Sequence, residues 1–255
     1  MKIDTHVHLD YSHQSIDTSV SYLLDELVKN SFSLAFLIYM KNDPCSLSEF
    51  YTATSKHNEF LKFIDIDPNE NDYLKKLKSA INEYDFFGMK LHPRLHNFNL
   101  YDKNVTKLLN EVNNLNIPVI IDSFPDGISL MRGFDLIDYA DVAIKFPKVN
   151  FIWAHMGGIK VLECMLLAKR LKNVFLDTSY SLLYFRESSI EKDIIYAMKS
   201  MKFNKVFFGS DYPDRNIKDT YENSLRVLEK YKINNEEIKK LFISNASNFI
   251  KFYQT

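Results

Sequence analysis

The chain has 255 residues, 46% of them hydrophobic and 25% charged, with a formal net charge of -1. That length is close to the roughly 250 residues of one (β/α)8 barrel, so one domain covering 1–255 is expected. The near-zero charge provides no field for phosphate backbones or anionic lipid, which argues against nucleic acid as a partner. The only two cysteines, Cys45 and Cys164, make no disulfide framework and no metal-like spacing, which fits a reducing, cytoplasmic setting.

The N-terminal MKIDTHVHLD is too polar for a secretory leader, and the longest apolar run, around 34–40, is far short of a membrane span. Short apolar runs that read as buried parallel strands recur instead. In chain order they are KIDTHVHL (2–9), SLAFLIYM (33–40), LKFIDID (61–67), FFGMKLHP (86–93), IPVIID (117–122), NFIWAH (150–155), NVFLDTS (173–179) and KVFFGSD (205–211). Between them lie helical periodicities. Ile16, Val20, Leu23, Leu24, Leu27 and Val28 share one helix face, as do Tyr73, Leu74, Leu77, Ala80, Ile81 and Tyr84, and Val105, Leu108, Leu109, Val112 and Leu115. A further helix around 238–252 closes the chain. Eight alternations predict a (β/α)8 TIM barrel with a C-terminal extra helix. The longest irregular stretches, 122–134 and 179–188, each follow a strand and are expected to be substrate loops.

Polar residues collect at the strand ends, which in a parallel barrel meet on one rim. In the first strand His6 and His8 fall on one face, where both imidazoles can grip one cation, with Asp4 one layer deeper. The HxH pair is weak by itself, since two core histidines would look the same. Asp211 ends the eighth strand as a metal ligand and proton acceptor, or else as a helix cap. His155 is expected on the same face as Phe151 and Trp153, above an apolar floor, with Gly157 and Gly158 permitting close backbone approach. Asp122 either completes the metal shell or serves a turn with Pro125 and Gly127. Lys90, His92 and Arg94 read as substrate-binding groups for an anionic moiety, the alternative for Lys90 being an ion pair with Asp122. Asp177 and Ser179 line the rim without touching the metal. His13 and His57 read as ordinary, as does His96, the strongest exception among the three.

Taken together, DTHVHLD, GMKLHP, IWAHMGG, FLDTSY and FFGSDYP resemble the amidohydrolase superfamily, and within it the branch of aminocarboxymuconate semialdehyde decarboxylase and related hydrolases. The likeness runs from His6 to Asp211. It implies a barrel holding one divalent metal through His6, His8 and Asp211, with His155 catalytic. The branch carries a further histidine ligand on the fifth strand, where this chain has Asp122. A carboxylate there gives an oxygen-richer shell that suits Mn or Fe as well as Zn, the first choice. It is also compatible with a metal-free site like that of related lactonases, and other branches carry a carbamylated lysine where Lys90 stands.

The expected chemistry is hydrolysis of an ester, lactone or amide of a small anionic substrate. Metal-activated water attacks, Asp211 takes its proton, and His155 stabilises the oxyanion or protonates the leaving group. The alternatives are non-oxidative decarboxylation of a small carboxylic acid, or a catalytically silent barrel. A homodimer is allowed by the sequence but not required by it.

Overall fold

The computed structural model describes residues 2–254. Eight strands form one sheet in sequential order: β1 (Lys2–Val7), β2 (Phe32–Tyr39), β3 (Phe60–Asp65), β4 (Gly88–Leu91), β5 (Val119–Asp122), β6 (Phe151–Ala154), β7 (Val174–Asp177) and β8 (Val206–Phe207). Every neighbouring pair is parallel. Closure comes from the segment after β8. Thr5 donates its backbone N–H to the Phe208 carbonyl, Asp211 to that of His6, and His8 to that of Tyr212. A parallel bridge joins Val7 to Tyr212. The expected barrel is therefore the observed one.

The helices are α1 (Ile16–Lys29), α2 (Leu47–Thr54), α3 (Tyr73–Asn82), α4 (Pro93–His96), α5 (Lys103–Leu115), α6 (Gly127–Met131), α7 (Leu136–Lys145), α8 (Val161–Arg170), α9 (Ser181–Tyr184), α10 (Ser189–Ser200), α11 (Ile217–Lys230), α12 (Asn235–Lys239) and α13 (Asn245–Gln254). Local signals start several of them. Ser15 accepts from the Thr18 N–H, and Ser46 with Glu49 forms a reciprocal capping box on α2. The stretches expected to be irregular carry α6 and α9, each four or five residues long. The C-terminal helix is interrupted by a π-turn at Lys240–Ser244, and only its last part is α13.

Side chains alternate between two cores. The outer one lies between strands and helices, and the inner one fills the barrel with Ile3, Phe36, Ile38, Phe63, Ile120, Ile152, Ala154 and Phe207. Ala246, Phe249 and Ile250 of α13 belong to the inner core, so the terminal helix closes one end of the barrel. The other end holds the polar strand termini. Among the described residues, no helix is long and apolar enough to cross a membrane.

Two local expectations are corrected. β8 was expected to run to Asp211 but stops at Phe207, because the Phe208 N–H bonds to the Leu241 carbonyl of the π-turn instead of continuing the ladder. Phe151 and Trp153 do not form a floor for His155. They face the helix layer, Trp153 against Tyr139 with ring centroids 5.9 Å apart, while Ile152 and Ala154 face the barrel interior. His155 nevertheless reaches the site because its backbone turns left-handed, at φ 66°, and breaks the strand alternation.

Candidate active site and metal centre

Three expected ligands meet. A register shift in β1 between Asp4 and Val7 puts His6 on the interior side, and the chain past β8 turns left-handed at Asp211, φ 65°. One ligand atom from each of His6, His8 and Asp211 then lies within 4.8 Å of the others. Nε2 of His6 and of His8 stand 3.5 and 4.0 Å from Asp211 Oδ1. In a tetrahedral zinc shell, donors about 2.0–2.1 Å from the ion sit roughly 3.3 Å apart, so this trio is close to a chelating arrangement. Gly209 makes the approach feasible: a Cβ there would lie 2.8 Å from His6 Cβ and 2.9 Å from Ser179 Cβ.

Burial, more than the neighbouring Lys90, keeps the His6 imidazole below the usual histidine range, and burial depresses His8 to about 3. Both are therefore neutral donors at neutral pH. Burial also opposes ionisation of Asp211, but His6, His155, His8 and Lys90 outweigh it and leave its carboxyl low and charged. Two neutral imidazoles and one carboxylate form a chemically suitable cation shell. Among the described residues the buried Nδ1 of His8 has no hydrogen-bond partner.

Around this trio His6 Nδ1 lies 3.0 Å from Asp177 Oδ2. His155 Nδ1 sits between two acceptors of Ser179, 3.0 Å from its carbonyl and 2.9 Å from its Oγ. A carbonyl can only accept, so Nδ1 of His155 carries the proton and Nε2 offers its lone pair to the cavity. Asp4 accepts from the N–H groups of His6 and Ser210, and burial lifts its pKa to about 7.

The ion pair with Asp122, the alternative reading of Lys90, is not formed among the described residues. Lys90 is buried, with Nζ 3.2 Å from His6 Nε2, and burial lowers its pKa. Asp122 stands outside the ligand trio. Its Oδ2 accepts from Arg94 at 3.0 and 3.3 Å, and its Oδ1 lies 3.9 Å from His155 Nε2. Burial works against its charge, but His92, His155, Arg94 and Lys90 overcome that and hold its carboxyl well below the usual range. Arg94 also donates to Asp126 at 3.3 Å, so its guanidinium is already engaged by two carboxylates. His92 Nδ1 accepts from the Leu95 N–H, and burial lowers its pKa to about 4, which leaves a neutral ring with its proton on Nε2.

The cavity over the trio has a volume of about 940 Å³ and is lined by His8, Arg94, His155, Asp211 and an aromatic wall. That wall is Phe124, Tyr180 and Tyr184, with Tyr180 stacked 4.9 Å from Tyr184 and edge-on to Phe124 at 5.1 Å. Sequence reading missed it, although all three lie in the loops expected to carry substrate contacts. It also missed Asp65, which ends β3 in FIDID by the same rule that marked the other strands. Asp65 Oδ2 lies 2.7 Å from the buried His96 Nε2, so His96 is a paired interior histidine. His13 pairs loosely with Asp10 and stacks on Tyr22. His57 packs edge-on to Phe60 with ring centroids 6.0 Å apart.

The parallel eight-stranded barrel thus brings a histidine of β1, a second histidine just past it and an aspartate after β8 to one rim. A family profile described as amidohydrolase matches residues 51–252, and the chain belongs to that family. Among solved structures, an uncharacterised TIM-barrel protein from Bordetella bronchiseptica aligns over 100% of this chain and 99% of its own, at 15% identity and a TM-score of 0.81. A probable 2-pyrone-4,6-dicarboxylic acid hydrolase from Acinetobacter baumannii, solved with citric acid, aligns over 97% and 98% at 17% identity, TM-score 0.70. A 5-carboxyvanillate decarboxylase from Novosphingobium aromaticivorans, complexed with manganese and a nitrobenzoic acid, aligns over 100% and 96% at 13% identity, TM-score 0.66. At these identities the structural likenesses speak for the fold alone. No curated protein matches the chain.

Proposed function

We propose that the protein is a metal-dependent hydrolase of a small ester, lactone or amide, with one divalent ion, Zn first, held by His6, His8 and Asp211. The observation that carries this reading is the convergence of these three donors, remote in sequence, within 4.8 Å. A bound divalent ion supplies water activation near neutral pH and polarisation of a carbonyl. Asp211, charged and beside both imidazoles, is positioned to accept a proton. His155 presents an unprotonated Nε2 to the cavity, suited to taking a proton and returning it to a leaving group. His92, outside the cavity lining, keeps its Nδ1 on the Leu95 N–H and beside Asp122, and serves the wall rather than the substrate.

Arg94 serves this site mainly as the cation that keeps Asp122 charged and in place, and an anionic substrate group would have to share it with Asp122 and Asp126. Lys90 lies outside the cavity lining with Nζ 3.2 Å from His6 Nε2, so its role is at the ligand nitrogen and not on the substrate. Among the described residues the trio is the grouping with ligand spacing, which favours one ion over two. Asp122 acts here as an ion-paired wall residue.

Elemental analysis of purified wild type beside His6→Ala, Asp211→Ala and Asp122→Asn tests the shell. About one ion per chain is expected in wild type and Asp122→Asn, and strong depletion in the other two. Unchanged content in His6→Ala and Asp211→Ala would refute the ligand set. A panel of esters, lactones and carboxylic acids, with carbon dioxide detected alongside, separates hydrolysis from the decarboxylation that the same donors could support. Activity that survives thorough chelation would point to metal-independent lactone opening. Stoichiometric metal without any turnover would favour a silent barrel.

A further inference from the structure

Asp177 is fully buried at the end of β7, yet it is neither a member of the ligand trio nor part of the cavity lining. Four donors nevertheless converge on its carboxylate. His6 Nδ1 lies 3.0 Å from Oδ2. On Oδ1 fall the backbone N–H of His155 at 3.1 Å, that of Ser179 at 2.9 Å, and the Ser179 hydroxyl. This nearly saturates what one carboxylate can accept. The Ser179 hydroxyl gives its proton to Asp177, so its oxygen is left to accept, and it lies 2.9 Å from His155 Nδ1 and 3.2 Å from His6 Nδ1.

Two consequences follow from chemistry alone. With Asp177 and Ser179 oxygens around the two Nδ1 atoms, both rings are held as Nδ1–H tautomers; the Nε2 lone pair of His155 faces the cavity, and that of His6 points to the buried side of Asp211, beside Lys90 Nζ. His155 and Met156 also occupy left-handed backbone at φ 66° and 51°, a conformation that costs energy for residues with a side chain and persists only where neighbours impose it. The Asp177 bond to the His155 N–H is one of those constraints, and the Ser181 hydroxyl on the His155 carbonyl at 2.6 Å is another.

We propose that Asp177 is a shared positioning residue, one carboxylate that fixes the ring of His6 directly and the ring and backbone of His155 through Ser179 and the His155 N–H. The proposal rests on the reading that His6 is a metal ligand and His155 a proton carrier. Under it the metal shell and the acid–base group are set by the same anion, and the two arms can be cut separately. Outer carboxylates that orient a ligating histidine are commonly worth 10–100-fold in metal affinity.

The test is a titration of the metal-free protein with Co²⁺, followed by visible absorption, for wild type, Asp177→Asn and Ser179→Ala. It is paired with ¹⁵N imidazole spectra of His6 and His155 and a circular dichroism check of fold. Asp177→Asn is expected to weaken Co²⁺ binding about 10–100-fold and to lose the fixed Nδ1–H form of His6. Ser179→Ala is expected to stay within about 3-fold of wild type in Co²⁺ affinity, with the His155 Nδ1–H still held by the residue-179 carbonyl and its ¹⁵N signal shifted by loss of the Oγ contact. Should Asp177→Asn fail to fold, Asp177→Glu takes its place under the same criteria, since it keeps the charge and displaces the oxygens. Equal Co²⁺ affinity in wild type and the Asp177 variant, or equal weakening by both substitutions, overturns the proposal. If wild type itself binds no Co²⁺, the metal reading fails. The tautomer spectra then decide the positioning role, which stands if the His6 and His155 arms respond separately and falls if they do not.

Discussion

The wall built by β1, β6 and β7 and the wall built by β4 and β5 each bury an aspartate at a strand end, and they neutralise it differently. Asp177 meets neutral donors: an imidazole N–H, two backbone N–H groups and a hydroxyl. Asp122 meets the Arg94 guanidinium and the Phe124 N–H, with His92 and His155 close by. A buried carboxylate answered by dipoles keeps its neighbours neutral and aimed, which is what a ligand nitrogen needs. A carboxylate answered by a full cation is instead half of an ion pair, and such a pair is costly to break from one side.

The comparison can be pressed hardest at His155, whose Nδ1 belongs to the first wall and whose Nε2 approaches the second. His155→Gln is expected to reduce turnover about 10²–10⁴-fold, the usual range for a lost acid–base group, with metal content unchanged. Metal loss in that variant would place His155 in the shell and blur the division between walls. Arg94→Met comes next. It strands the Asp122 charge, so thermal or denaturant unfolding should show a loss of about 2 kcal/mol, less than a fully buried pair because the arginine is one-third exposed. Stability equal to wild type would mean that Arg94 is a free substrate clamp after all.

Gly209→Ala tests the seam between β8 and the first wall. The added methyl would sit 2.8–2.9 Å from His6 and Ser179 Cβ atoms, and overpacking of this sort costs about 1–3 kcal/mol. Metal affinity should fall along with stability, and a variant with neither change would show that the seam yields freely.

The smallest effect concerns pH. Burial lowers His92 to about 4 in the fold, against about 6.5 when unfolded. The unfolded chain therefore binds the extra proton first, and the stability contributed by neutral His92 is lost as pH falls from about 6.5 to about 4. In metal-free protein the stability gap between wild type and His92→Gln should narrow over that window. A gap independent of pH would sink this reading of the second wall.

Much of this arrangement is written locally. The eight alternations, the helix faces of α1, α3 and α5, and the polar strand ends all follow from side-chain period and composition, and they bring His6, His8 and Asp211 toward one rim; the register shift in β1 and the left-handed turn at Asp211 complete the aim. What escaped sequence reading depends on contacts between distant segments. β8 is short because a π-turn carbonyl at Leu241 captures the next N–H, and no local pattern announces that. His155 points inward because its backbone turns left-handed, so counting alternate residues from Phe151 aims at the wrong layer. Arg94 looks like a free cation until Asp122 and Asp126 are placed beside it. Asp65 was legible and overlooked: its strand-end position is the same signal that identified Asp122 and Asp177.

The helix that closes the barrel floor carries a consequence for how the molecule is made. Ala246, Phe249 and Ile250 are synthesised after all eight strands, yet they cover Phe207 and its inner-core neighbours. Until those last turns emerge, a nascent barrel has an open, greasy lower end, the kind of surface that recruits chaperones or sticks to itself. Released chains truncated before residue 245 should therefore be far more prone to association than the 255-residue chain.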